Sequence, residues 1–243
     1  MKTRQIILIF LIMKTITAFG QPTFEVLNRG INGNTTADLL QRLDKDVIAE
    51  SPDLVVIMVG TNDMLNTDRM ISLEDYLLNM RTILKALKEH SIEFVLLSPP
   101  PADTVYLFQR HDPHKFSLPP NVKLEKVGNG LKDLCLEFNS LFIDVHGYYK
   151  ENGLPDHNRD EIIMNENNNN ARDGVHMTKE GNVFLGSFIF KSLLENDKLK
   201  SNSRILCFGD SITYGYRMIG EGTSTGDTYP SVLKNAMQDY FQE

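Results

Sequence analysis

Arg204-Ile205-Leu206-Cys207-Phe208-Gly209-Asp210-Ser211-Ile212-Thr213 is a short apolar run that stops at a polar turn. A run of this length bounded by turn residues reads as a strand buried on both faces, the kind found in parallel sheets. A serine on a sharp turn after such a strand is held at its carboxyl end, where open α/β sheets bind ligands. Residues 54–59, Leu-Val-Val-Ile-Met-Val, form a second uninterrupted apolar run, and 24–28, 94–97 and 141–145 read as further strands. Between them lie helical stripes. Leu39, Leu40, Leu43 and Val47 mark a helix over 36–48. Tyr76, Leu77, Met80, Ile83, Leu84 and Leu87 mark another, with Ser72 as its cap and Asp75 at the third position. Leu124, Val127, Leu131, Leu134 and Phe138 mark a third over 123–138, and 178–195 and 230–241 complete the set. Strands alternating with amphipathic helices predict an α/β fold with a parallel sheet covered on both faces.

The chain has 243 residues, 41% apolar and 23% charged, which suffices for one α/β domain with a sizeable core. Its net charge of −7 argues against nucleic acid or an anionic membrane surface as the main partner. Lys2 and Arg4 precede an apolar run over 6–13 that is too short to span a membrane, so no stable membrane insertion is expected. With Ala18-Phe19-Gly20 as a cleavage site, residues 1–20 read as a signal peptide and 21–243 as a single domain, secreted or periplasmic. Cys135 and Cys207 read as separately buried thiols.

Three polar blocks lie upstream of the serine: Asn32-Gly33-Asn34, Gly60-Thr61-Asn62-Asp63 and Asp173-Gly174-Val175-His176. Acyl transfer at neutral pH needs a nucleophile, a base, a group to orient the base and donors for the oxyanion. Ser211 is the candidate nucleophile. His176 is the candidate base, and Asp173, three residues earlier, can turn its carboxylate onto the imidazole. The Ser211 N–H, the Gly33 N–H and the Asn62 amide are candidate oxyanion donors. Each has a plainer reading: a loop serine, a surface histidine, a turn aspartate, an Asn-Gly turn, an Asx turn at Asn62.

Together the four blocks resemble the SGNH (GDSL) hydrolase family, as do Thr178-Lys179-Glu180-Gly181-Asn182 after His176 and Tyr214-Gly215-Tyr216-Arg217-Met218 after Ser211. The resemblance implies a flavodoxin-like three-layer α/β/α sandwich with a five-stranded parallel sheet. It also implies Ser-His-Asp hydrolysis of esters or thioesters without a cofactor. In that family the serine block comes first; here it comes last, so the chain reads as circularly permuted. Residues 196–203 would then join the family's last helix to its first strand.

The expected substrate is a small-molecule or glycan ester, an acetyl group on a carbohydrate being preferred. The alternatives are a lysophospholipase or thioesterase, and a non-catalytic glycan-binding domain. A monomer is expected, with a swapped dimer as the alternative. The proline-rich connection over 98–121 is longer than a compact fold needs and suggests a functional loop. Its His111 and His114 lack partners at ligand spacing, so no metal is expected. Its Tyr106, Phe108 and Phe116 read as residues that pack the loop down, or that touch an acyl or sugar group. The asparagine run over 165–170 reads as a mobile low-complexity segment. Asp63 and Asp210 read as residues that tie down turns, while Asp144 and His146 end a strand without a pattern that assigns them a role.

Overall fold

The computed structural model describes residues 24–242; the expected signal peptide, residues 1–20, lies outside them. β1 (Glu25–Gly30), β2 (Leu54–Met58), β3 (Glu93–Leu97), β4 (Leu141–Ile143) and β5 (Arg204–Gly209) form one sheet in the order β1-β5-β2-β3-β4, every neighbouring pair parallel. Counted from β5 as the first strand, that order is 2-1-3-4-5, a doubly wound arrangement whose ligand crevice lies between its strands 1 and 3. Here those strands are β5 and β2. The longer helices are α1 (Thr36–Leu43), α3 (Leu73–Glu89), α5 (Pro120–Phe138), α8 (Lys179–Glu195) and α10 (Tyr229–Gln242). The shorter ones are α2 (Thr61–Leu65), α4 (Thr104–Arg110), α6 (Val145–Glu151), α7 (Glu166–Asn169) and α9 (Ser211–Tyr214).

The strands are apolar throughout because both faces are covered. Val55, Ile57, Phe94, Leu96, Leu206 and Phe208 pack with residues of α1, α3 and α5. Their sequence neighbours Val56, Met58, Val95, Leu97, Ile205 and Cys207 point the other way, onto α8 and α10. This period of two over a buried run gives three layers. Ser72 accepts the Asp75 N–H at 3.0 Å and Thr178 accepts the Gly181 N–H at 2.9 Å, capping α3 and α8. The end of α10 packs against the start of β1, with the Phe241 and Phe24 rings 6.4 Å apart. Cys135 and Cys207 are separate buried thiols, pushed up by burial to about 11 and about 12.

Four segments differ from their sequence reading. The connection over 98–121 is not irregular throughout: it contains α4, capped by Asp103 through the Val105 N–H, and a 3₁₀ turn at Pro113–Lys115. α5 starts at Pro120, before the expected residue 123, since proline in a first turn loses no helical hydrogen bond. The asparagine run is not a featureless spacer. Asn165 accepts the Asn167 and Asn168 N–H groups and donates to the Asp160 and Ile163 carbonyls, so side-chain amides build α7 where apolar packing is lacking. β4 ends at Ile143, two residues before the expected end, because the Asp144 carboxylate accepts the Gly147 N–H and opens α6.

Candidate active site

Strand register gathers the site. Gly30 of β1 and Met58 of β2 flank Gly209 of β5 in one row across the sheet, so the loops that follow all leave the same edge. The bare strand ends matter sterically. A Cβ on Gly30 would stand 2.1 Å from the Tyr214 nitrogen, and one on Gly209 would stand 2.2 Å from the Met58 carbonyl oxygen. Without them, α9 folds down directly after β5. Asp210 caps α9 by accepting the Ile212 N–H at 2.9 Å, and Ser211 is the first helical residue. Arg42 locks this edge: it donates to the Arg29 carbonyl at 2.9 Å, the Gly209 carbonyl at 2.9 Å and the Asn34 side chain at 2.7 Å.

The His176 segment arrives from the far side of the chain. The Met164 N–H donates to the His176 carbonyl and the Gly174 N–H to the Met164 carbonyl, leading into the Thr178 cap of α8. This path brings His176 Nε2 to 2.9 Å from Ser211 Oγ. The other ring nitrogen, Nδ1, lies 2.9 Å from Asp173 Oδ2. A carboxylate only accepts, so Nδ1 carries the proton and Nε2 is left to accept the Ser211 hydroxyl. Asp173 Oδ1 also accepts the Val175 and His176 backbone N–H groups, at 2.9 and 2.7 Å. All three residues belong to one chain, and the Tyr216 ring lies against the imidazole with centroids 4.4 Å apart.

Ser211, His176, Asn62 and Thr61 line one cleft of about 130 Å³, with Leu65, Leu107, Val175, Arg110 and His111. Asn62 donates one amide N–H to the Asn34 carbonyl at 3.0 Å, which leaves its second N–H free of that bond. Gly33 stands outside the cleft lining, in the loop just before Asn34, at φ +75° with open space where a Cβ would be. Among the described residues neither the Gly33 nor the Ser211 N–H has an acceptor. His111 reaches the cleft and lies 3.1 Å from the Thr67 hydroxyl; His114 sits on the 3₁₀ turn, away from it. Among the described residues no three His, Cys, Asp or Glu side chains are grouped to hold a metal.

The carboxylates around the site are tuned in opposite directions. Burial by itself would raise Asp173, but the His176 ring and backbone N–H and the Arg110 guanidinium outweigh it and hold the carboxyl well below the usual range. Asp210 is pushed up to about 7, chiefly by burial and further by the charge of Asp63, against the Ile212 N–H, its own backbone N–H and the Arg42 charge. Its Oδ2 is buried without a hydrogen-bond partner. Burial also raises Asp63, although the Thr36 hydroxyl and N–H bind it. Asp210 caps the turn at Ser211, and Asp63 ties the start of α1 to α2.

Sequence reading missed Arg42 and Arg110. Arg42 follows Leu39 by three residues on an otherwise apolar helix stripe, and that was the available signal. Arg110 donates to the Asp173 carbonyl, with a second nitrogen 3.7 Å from Asp173 Oδ2, and nothing in a proline-rich stretch marks it for that task.

The GDSL-like lipase/acylhydrolase family model matches residues 15–183. The matched stretch holds Gly33, Asn62, Asp173 and His176 and ends before Ser211. An acetylxylan esterase of Geobacillus stearothermophilus is 30% identical over 134 residues, 52% of this chain and 56% of that protein. The chain therefore spans little more than half the length of this relative. A solved catalytic mutant of an acetylxylan esterase from Geobacillus stearothermophilus superposes with a TM-score of 0.52 at 25% identity, over 68% of this chain and 69% of that one. The crystal structure of another acetyl xylan esterase gives 0.54 at 22% identity, over 68% and 78%, a likeness of fold.

Proposed function

Because the chain belongs to the GDSL-like lipase/acylhydrolase family, we propose that it is an exported serine esterase that removes short acyl groups, acetyl above all, from carbohydrate esters. The observation that carries this reading is the unbroken chain of contacts from Ser211 Oγ through His176 to Asp173, each 2.9 Å, at the crevice between β5 and β2.

In this mechanism His176 Nε2 takes the Ser211 proton as Oγ attacks the ester carbonyl carbon. Asp173 holds the ring in orientation and stabilises the imidazolium. The Ser211 N–H and the free Asn62 amide N–H, both at the cleft, stabilise the oxyanion, and the Gly33 N–H joins them when its loop, which lies outside the cleft lining, closes on bound substrate. The bond from carbonyl carbon to alcohol oxygen then breaks, His176 returns the proton to the leaving alcohol, and water repeats the attack on the acyl-enzyme. No cofactor or metal takes part in these steps. The size of the cleft supports a short acyl group: a cavity of about 150 Å³ holds benzene, whereas drug-sized ligands need ~300 Å³ or more. The likeness to acetylxylan esterases supports the carbohydrate side.

The same reading includes the permutation. The sheet order counted from β5, the adjacency of Phe241 and Phe24, and a family match that ends before the serine block all support it. Export rests on residues 1–20 and is tested by N-terminal sequencing of protein recovered outside the producing cell, with Gln21 as the expected first residue.

The deciding experiment is hydrolysis of p-nitrophenyl acetate and octanoate by the wild type and Ser211→Ala, with size-exclusion mass on the same samples. Serine-dependent turnover from a monomer, faster on acetate, is expected. A preference for octanoate would move the reading to a lysophospholipase or thioesterase. A folded wild type that neither turns over nor reacts with a fluorophosphonate would move it to a glycan-binding domain.

A further inference from the structure

We propose that the groove beside α4, walled by Phe108, Phe116, Leu118, Pro113 and Pro119, binds the sugar chain on the leaving-group side of the ester. The inference rests on the esterase reading above and names the part of the substrate that the catalytic cleft does not hold.

The catalytic cleft, at about 130 Å³, has room for the acyl group and the scissile bond and little more. The rest of the substrate must leave past its wall. α4 is that wall. Leu107, Arg110 and the following His111 line the cleft, while Thr104 and Phe108 of the same helix line a second groove of about 380 Å³. At 3.6 residues per turn, Phe108 and Thr104 lie next round the helix from Leu107 and His111. The two cavities thus lie on neighbouring faces of one short helix.

The chemistry of the groove selects its occupant. In a chain that is 23% charged, no lining residue of this groove is ionisable. Its walls are aromatic, proline and leucine surface, and its only polar side chains are the hydroxyls of Thr104 and Ser117. A pyranose offers the complement: a neutral ring with an apolar C–H face and a rim of hydroxyls. The platform is also built in advance. Phe108 and Phe116 pack edge to face with centroids 5.6 Å apart, and the Lys123 ammonium lies 5.5 Å from the Phe116 centroid. Phe108 is nonetheless 37% exposed and Leu118 39%, apolar surface left open at the mouth of a site. The rival occupant is a long acyl chain extending out of the inner cleft, and the neutral hydroxyl-bearing lining suits a sugar ring better.

The test compares wild type, Phe108→Ala and Leu118→Ser on p-nitrophenyl acetate and on acetylated xylo-oligosaccharides. It also measures calorimetric binding of unesterified xylohexaose to the full chain carrying Ser211→Ala, which needs no turnover. Phe108→Ala is expected to raise KM for the oligosaccharide about tenfold more than for p-nitrophenyl acetate, with kcat on the oligosaccharide held, and to weaken xylohexaose binding by a similar factor. Leu118→Ser should act in the same direction. Equal losses on both esters would make Phe108 a packing residue and overturn the proposal. So would a KM effect confined to p-nitrophenyl octanoate, which would assign the groove to an acyl chain. If xylohexaose does not bind, the groove assignment falls, while loss of p-nitrophenyl acetate turnover in Ser211→Ala still upholds the esterase.

Discussion

Asp173 and Asp210 are both buried beside the same cleft, and their neighbours drive them apart. Asp173 faces an imidazole, an arginine and two N–H groups, so it stays ionised and stabilises the fold above the ordinary carboxylate range. That contribution is lost as pH falls toward its depressed folded pKa. Asp210 is buried with a second carboxyl nearby, which outweighs two N–H groups and the Arg42 charge, so its neutral form is favoured. Between 3.8 and about 7 the unfolded chain releases a proton that the folded chain keeps, and stability falls as pH rises through that window. Asp210→Asn preserves the acceptor for Ile212 and removes the titration. Thermal scans should show the wild type losing ground to the variant from pH 4 to pH 7, and a constant difference would mean that the Asp210 carboxyl is ionised throughout. On the proposed mechanism Asn62→Ala removes one oxyanion donor and should raise the barrier by about 3 kcal/mol, lowering kcat on the order of a hundredfold with the melting temperature near that of the wild type. Unaltered kcat would take Asn62 out of the mechanism. Ser211 and Asn62 were legible because their blocks are short polar breaks after apolar runs, whereas Asp173 and His176 follow the polar asparagine segment and were legible only through the resemblance of their block to the family's. Arg110 was not, because its role comes from a contact with a carbonyl 63 positions away in the chain.

At the scale of elements, the join between α4 and the Asp173–His176 segment controls the site. The Asp103 N–H donates to the Gly174 carbonyl at 2.7 Å, and Gly174 adopts φ +73°. A Cβ there would meet the Asp103 carbonyl oxygen at 2.8 Å, so both the backbone angle and the space call for glycine. Gly174→Ala should cost about 1–3 kcal/mol of stability. Because it shifts the imidazole relative to Ser211, kcat should fall on the order of a hundredfold. Denaturant titration and steady-state kinetics on one preparation check both, and normal kcat in a destabilised protein would show that the join does not set the catalytic geometry. The long helices were readable from their apolar stripes. α4 and α7 were not, since short helices held by Asp103 and Asn165 side chains carry no periodic signal.

For the whole molecule, the site lies where a doubly wound sheet leaves a crevice, between β5 and β2, although those strands are the last and the second in the chain. On the permuted reading, chain ends are a matter of where connections are cut. A rearranged chain that begins in the 198–202 link, with Gln242 joined by a short linker to Phe24, should keep the wild type's oligomeric state and match its kcat/KM within a few fold. Failure of that chain to fold, with the wild type folded, would count against the permutation. Apolar runs, helical stripes and turn residues are local properties, so the sequence by itself determined the alternation of strands and helices, the burial of both sheet faces and the polar blocks at the strand ends. Only the tertiary structure decided that β5 inserts between β1 and β2, that Arg42 and Arg110 brace the site, and that α4 divides a small inner cleft from an open groove. Those depend on strand register and on contacts between residues far apart in the chain, for which no local pattern exists.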